Sequence, residues 1–133
     1  MIKKAGTILI NKHDIGLIYR SNHDDYSFPK GHVEEGETTL ECAIRETNEE
    51  TKRDIVVLDD KPIYVENYKD SKGNDCNCEY FLAKDNGTSD NTSTDTHDLI
   101  WTDFDKVSSV LSYDSLRKLW SEIKDKVEKH LED

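Results

Sequence analysis

Three carboxylates, Glu46, Glu49 and Glu50, fall in a stretch of helical periodicity, where about 100° per residue gathers them on one flank within a turn of each other. Carboxylates so placed repel unless a cation lies between them. Carboxylate and carbonyl oxygens suit hard divalent ions, and Mg²⁺ or Mn²⁺ takes few protein ligands while keeping waters and bridging substrate phosphates. Ahead of the cluster stands Phe28-Pro29-Lys30-Gly31-His32, in which a fixed proline precedes a glycine able to turn backbone groups toward the same place. A solvated acidic face is the alternative reading of an isolated E-x-x-E-E, but it leaves the preceding loop unexplained.

A helix has to hold these groups. Thr38 and Glu41 have the spacing of a capping box, so the helix is expected to begin near Thr38. Leu40, Ala43, Ile44 and Thr47 then recur at i, i+3, i+4 and i+7 and are expected to form its buried stripe.

The full spacing, Gly31, five residues, Glu37, seven residues, then Arg45-Glu46-Thr47-Asn48-Glu49-Glu50, resembles the Nudix box, G-x5-E-x7-R-E-U-x-E-E-x-G-U, with U a bulky aliphatic residue. Every charged position and the first glycine match. Thr47 and Arg53 stand at aliphatic positions and Lys52 stands at the second glycine. A left-handed Lys52 would be strained by about 1 kcal/mol, so Lys52→Gly is expected to stabilise the protein. Ser27 to Val33, Glu79 to Ala83 and Trp101 are further similar to the dinucleoside tetraphosphate hydrolase branch.

The resemblance implies an α/β/α sandwich with a mixed sheet and a Mg²⁺-dependent hydrolase of pyrophosphate linkages. Diadenosine tetraphosphate, cut asymmetrically to ATP and AMP, is the leading substrate. The alternatives are removal of pyrophosphate from RNA 5′ ends, hydrolysis of damaged nucleoside triphosphates, and a nucleotide sensor without catalysis. By the same resemblance Glu49, Glu50 and the Gly31 carbonyl hold the metal ion, Glu46 binds a second ion or acts as base, and Asp95 approaches the metal from a later loop. Arg45 orients the carboxylates and Glu37 braces loop to helix. Lys30, His32 and Lys84 are assigned to the substrate, and Tyr80 and Tyr113 to the faces of an adenine.

The chain of 133 residues has the length of one domain, 1–133, with 35% charged residues and a net charge of −11. That charge argues against gripping long nucleic acid, which requires clustered Lys and Arg. It leaves room for a small dinucleotide or nucleotide met through metal ions. The N-terminal stretch reads as neither signal peptide nor membrane span, and Cys42, Cys76 and Cys78 form no C-x-x-C pair. A cytoplasmic monomer with reduced thiols is the expectation.

Strands are expected at 6–10, 15–19, 26–28, 55–58, 62–68, 76–84 and 99–101. Residues 85–96 read as a polar, mobile loop beside the site. A short helix is expected over 104–111, followed by a longer one capped by Ser112 and buried through Leu116, Leu119, Trp120, Ile123 and Val127.

Overall fold

The computed structural model of the chain describes residues 1–94 and 96–132. β-Branched and aliphatic runs build β1 (Ile2–Asn11) and β2 (Asp14–Arg20), which form a hairpin with Asn11 opposite Asp14. Then follow β3 (Asp25–Ser27), β4 (Lys30–His32), α1 (Thr39–Thr51), β5 (Arg53–Val57), β6 (Tyr64–Lys69), β7 (Asp75–Thr88) and β8 (Asp98–Asp103). A 3₁₀ turn at Phe104–Lys106 leads into α2 (Val107–Val110) and α3 (Asp114–Glu128).

One mixed sheet carries the strand order β3-β2-β1-β7-β5, with β4 on β1, β6 on β7 and β8 on β2. Among the described residues only the central β1–β7 pair is parallel, running from Ile2 opposite Cys76 to Ile10 opposite Lys84. Because side chains alternate across a strand, β7 sends Cys78, Tyr80 and Leu82 to one face and Phe81 to the other. The first face packs with Ile8, Ile10 and Leu17 beneath Leu119, Trp120, Ile123 and Val127 of α3. On the second, Ala5 and Phe81 meet Cys42 and Ala43 of α1. The arrangement is the expected α/β/α sandwich.

Several boundaries differ from the sequence reading. Ile44 is 41% exposed, and the buried side of α1 runs through Cys42, Ala43, Thr47, Glu50 and Thr51 instead. The helix rolls because Thr47 Oγ1 meets Thr7 Oγ1 of β1 at 2.8 Å inside the core. Asp85 to Thr88 belong to β7, paired to β5 from Arg53 opposite Thr88 to Val57 opposite Ala83, and Arg53 makes an ion pair to Asp85 at 2.7 Å. Ser112 does not cap α3. The N-cap is Tyr113, and Ser112 Oγ accepts the Tyr26 N–H at 2.8 Å. No helix among the described residues is long and apolar enough to cross a membrane.

Candidate active site

The capping box forms as its spacing predicts. Glu41 N–H donates to Thr38 Oγ1 at 3.1 Å and Thr38 N–H donates to Glu41 Oε1 at 2.9 Å. The preceding residues, read as a loop from sequence, are held as β4 on β1, with Gly31 opposite Ala5. Backbone pairing therefore fixes Gly31 against the flank of α1, where a Cβ would lie 1.7 Å from Glu46 Oε2. The close approach requires glycine.

Arg45 ties the carboxylates together. Its Nε and Nη2 donate to the two oxygens of Glu37 at 2.7 and 3.0 Å, and Nη1 donates to Glu46 Oε1 at 2.6 Å and Glu49 Oε2 at 3.2 Å. A further bond from Nη2 to the His32 carbonyl, at 3.0 Å, anchors the fork to β4. This guanidinium holds the Glu37 carboxyl down at about 2, and Glu37 Oε1 also accepts the Glu34 N–H at 3.0 Å. Glu50 is the deep member, 7% exposed, with its Oε1 accepting the Lys30 N–H at 2.9 Å. Burial, and then the neighbouring Glu46 charge, push its carboxyl up to about 8. A bound cation would act in the opposite sense.

Glu46, Glu50, Gly31, Lys30 and His32 line one cavity of about 370 Å³, and Lys4 and Arg20 line it with them. Glu49 is not on that lining. It is joined to the cluster through Arg45. Among the described residues no three His, Cys, Asp or Glu side chains close around a single point suited to a metal ion, as Arg45 stands between Glu46 and Glu49. The donor set is nonetheless all oxygen. The Gly31 carbonyl, on the β1–β4 ladder opposite Ala5, also accepts a weak 3.6 Å bond from Cys42 Sγ. Glu46, Glu50 and that carbonyl fit a hard divalent cation by chemistry.

An adjoining cavity of about 510 Å³ shares Lys4, Arg20, Ser27 and Lys30 with the first and adds Tyr68 and Tyr113. Lys30 Nζ lies 5.0 Å and Lys4 Nζ 5.6 Å from the Tyr68 ring centroid. Tyr113, 44% exposed, donates its hydroxyl to Asp25, which also receives Arg20 Nε at 2.8 Å. One buried carboxylate thus ties the aromatic wall to the cationic one.

Tyr80 and Lys84, both expected at the site, are not brought to these cavities. Tyr80 is 0% exposed and edge-packed on Phe28 with ring centroids 5.8 Å apart, so its faces are taken by the core. Lys84 sits toward the far end of β7, pairing with Glu132 at 2.5 Å. Asp95 lies outside the described residues. Conversely, the sequence reading missed Lys4, Arg20, Tyr68 and His97. Lys4 is opposite His32 and is recognisable only from strand register. Tyr68 shares its strand face with buried Glu66, a signal the alternation of β6 contained.

The Nudix-domain family model matches residues 2–129. Among solved structures the chain is similar to a Caenorhabditis elegans Ap4A hydrolase in a binary complex, with TM-score 0.80 and 25% identity over 97% of this chain and 99% of that one. It is also similar in fold to a MutT protein from Bacillus halodurans, with TM-score 0.75 and 20% identity over 93% and 82% of the two chains. An 8-oxo-(d)GTP phosphatase of Mycolicibacterium smegmatis is 29% identical over 106 residues, 80% of this chain. The chain spans 32% of that relative's length.

Proposed function

The chain belongs to the Nudix family, and on that premise we propose that it is a divalent-metal-dependent pyrophosphohydrolase that cuts diadenosine tetraphosphate asymmetrically to ATP and AMP. The observation that carries this reading is the continuity of the two cavities. A carboxylate wall, Glu46 and Glu50, gives way to Lys4, Arg20 and Lys30 and then to the rings of Tyr68 and Tyr113. A dinucleoside polyphosphate presents the complementary order, an anionic chain ending in an aromatic base. The likeness to the C. elegans Ap4A hydrolase supports the same choice.

A divalent cation held by Glu46, Glu50 and the Gly31 carbonyl would withdraw charge from phosphorus and lower the pKa of water. The chain's own residues do the rest. Lys4, Arg20 and Lys30 bind and orient the phosphates, with His32 at the rim. Glu46 and Glu49, aligned through one guanidinium, take the proton of the attacking water as a unit. Arg45 stays protonated and works by orientation. Tyr68 replaces Tyr80 as the ring beside the base, opposite Tyr113.

The relative acting on 8-oxo-(d)GTP favours a second reading, hydrolysis of a nucleoside triphosphate. One assay with Mg²⁺ separates them by comparing diadenosine tetraphosphate, 8-oxo-dGTP, unmodified nucleoside triphosphates and 5′-triphosphorylated RNA. The proposal expects the highest kcat/KM for the dinucleotide, with ATP and AMP in equal amounts. Two ADP per substrate, or a higher kcat/KM for 8-oxo-dGTP, would overturn it.

A further inference from the structure

The geometry assigns Lys52, where the family pattern has glycine, the part of a positioning residue that straps Asn91 and Ser93 onto the end of α1, where Thr96 and His97 are also held, and so seats His97 beside Glu50. Lys52 ends the helix in the left-handed conformation, with φ 58° and ψ 33°. A side chain resists that conformation and glycine does not. What Lys52 has and glycine lacks is a donor. Its Nζ donates to the Asn91 carbonyl at 2.7 Å and the Ser93 carbonyl at 2.6 Å. The ammonium also lies at the helix C-terminus, where the macrodipole favours positive charge.

The strapped segment in turn caps α1. The last carbonyls of a helix lack intrahelical donors. Here Thr96 Oγ1 donates to Glu49 O at 3.2 Å, His97 N–H to Glu50 O at 2.9 Å and Ser89 N–H to Lys52 O at 2.9 Å. Asn48 holds the middle, donating to Ser89 Oγ at 2.7 Å and accepting from Asn91 Nδ2. These bonds end at His97, whose Nε2 is 3.5 Å from Glu50 Oε2 and whose ring lines the carboxylate cavity. The residue that departs from the motif therefore sets a cavity wall it does not itself touch.

The consequence for turnover rests on the pyrophosphohydrolase reading, but the test needs no substrate. Lys52→Met keeps the stem and the left-handed backbone while removing the ammonium. Amide exchange at Ser89 and His97 is expected to quicken about tenfold or more, with Leu119 and Ile123 of α3 unchanged. The His97 imidazole NMR signal is expected to shift in Lys52→Met and Glu50→Gln, and Lys52→Arg to restore both exchange and signal. Unaltered exchange, equal acceleration in α3, or a His97 signal unmoved in Lys52→Met would each overturn the assignment. Failure of the substrate comparison would overturn the hydrolase reading and leave these results standing.

Discussion

The backbone of Gly31 lies flush against the Glu46 carboxylate, so that a methyl group there would fall 1.7 Å from Oε2 and 2.0 Å from Cδ. Glu46 is held from its other side by Arg45 at 2.6 Å. Gly31→Ala must therefore push a Glu46 oxygen, proposed above to act in catalysis, out of register. A displacement on this scale costs on the order of 100-fold in rate. Steady-state kinetics should show kcat falling by about that factor, with a melting temperature little changed because the displaced group is a side-chain end.

Glu50→Gln retains an oxygen for the Lys30 N–H and removes the charge. Because burial already pushes the native carboxyl up to about 8, a neutral amide suits the site. Without metal, the variant should melt within a few degrees of the wild type at pH 7. Turnover with Mg²⁺ should drop by orders of magnitude, and EDTA should abolish wild-type turnover reversibly. Near-normal rates for Glu50→Gln would remove Glu50 from the metal set.

The Glu37–Arg45 pair should make part of the stability pH-dependent. The folded Glu37 carboxyl is held at about 2, below its unfolded value near 4.5, by Arg45. Its contribution is therefore present above about pH 4.5 and is lost as pH falls toward 2. Glu37→Gln should melt lower than the wild type at pH 7, and the gap should narrow between pH 5 and 3. Thermal scans across that range would show a constant gap if the pair contributed nothing.

Tyr68, Tyr113 and Tyr80 should separate into binding and packing roles. Stacking on a base contributes about 1–3 kcal/mol, so Tyr68→Ala and Tyr113→Ala should raise KM for the dinucleotide roughly 5- to 100-fold with a smaller effect on kcat. Tyr113→Phe should keep KM and lose only the bond to Asp25. Tyr80→Ala leaves a cavity in the core and should lower the melting temperature on the order of 10 °C, with KM unaltered in the folded fraction.

Local order was legible wherever the signal is local. The capping box and the burial of Leu116, Leu119, Trp120, Ile123 and Val127 on α3 follow from neighbours a few residues apart. So does the contact of Arg45 with Glu49, one helical turn away. The errors lie where a distant partner decides. Ile44 fits a helical stripe, but Thr7 across the sheet turns the helix to bury Thr47. Asp85 to Thr88 look like loop, yet β5 and the Arg53–Asp85 ion pair extend the strand through them.

The sequence by itself determined which residues could hold a cation, because charge, hydrogen-bonding groups and helical spacing reside in the residues. What faces that cluster was decided only by the tertiary structure. Lys4 reaches the cavity through the pairing of β1 with β4, Tyr68 through β6 on β7, and His97 through a strap on the end of α1. Tyr80 was lost to the core by the pleat of β7 beneath α3. Sheet register and layer packing bring together residues dozens of positions apart, and no short-range periodicity encodes which of two strand faces the solvent will reach.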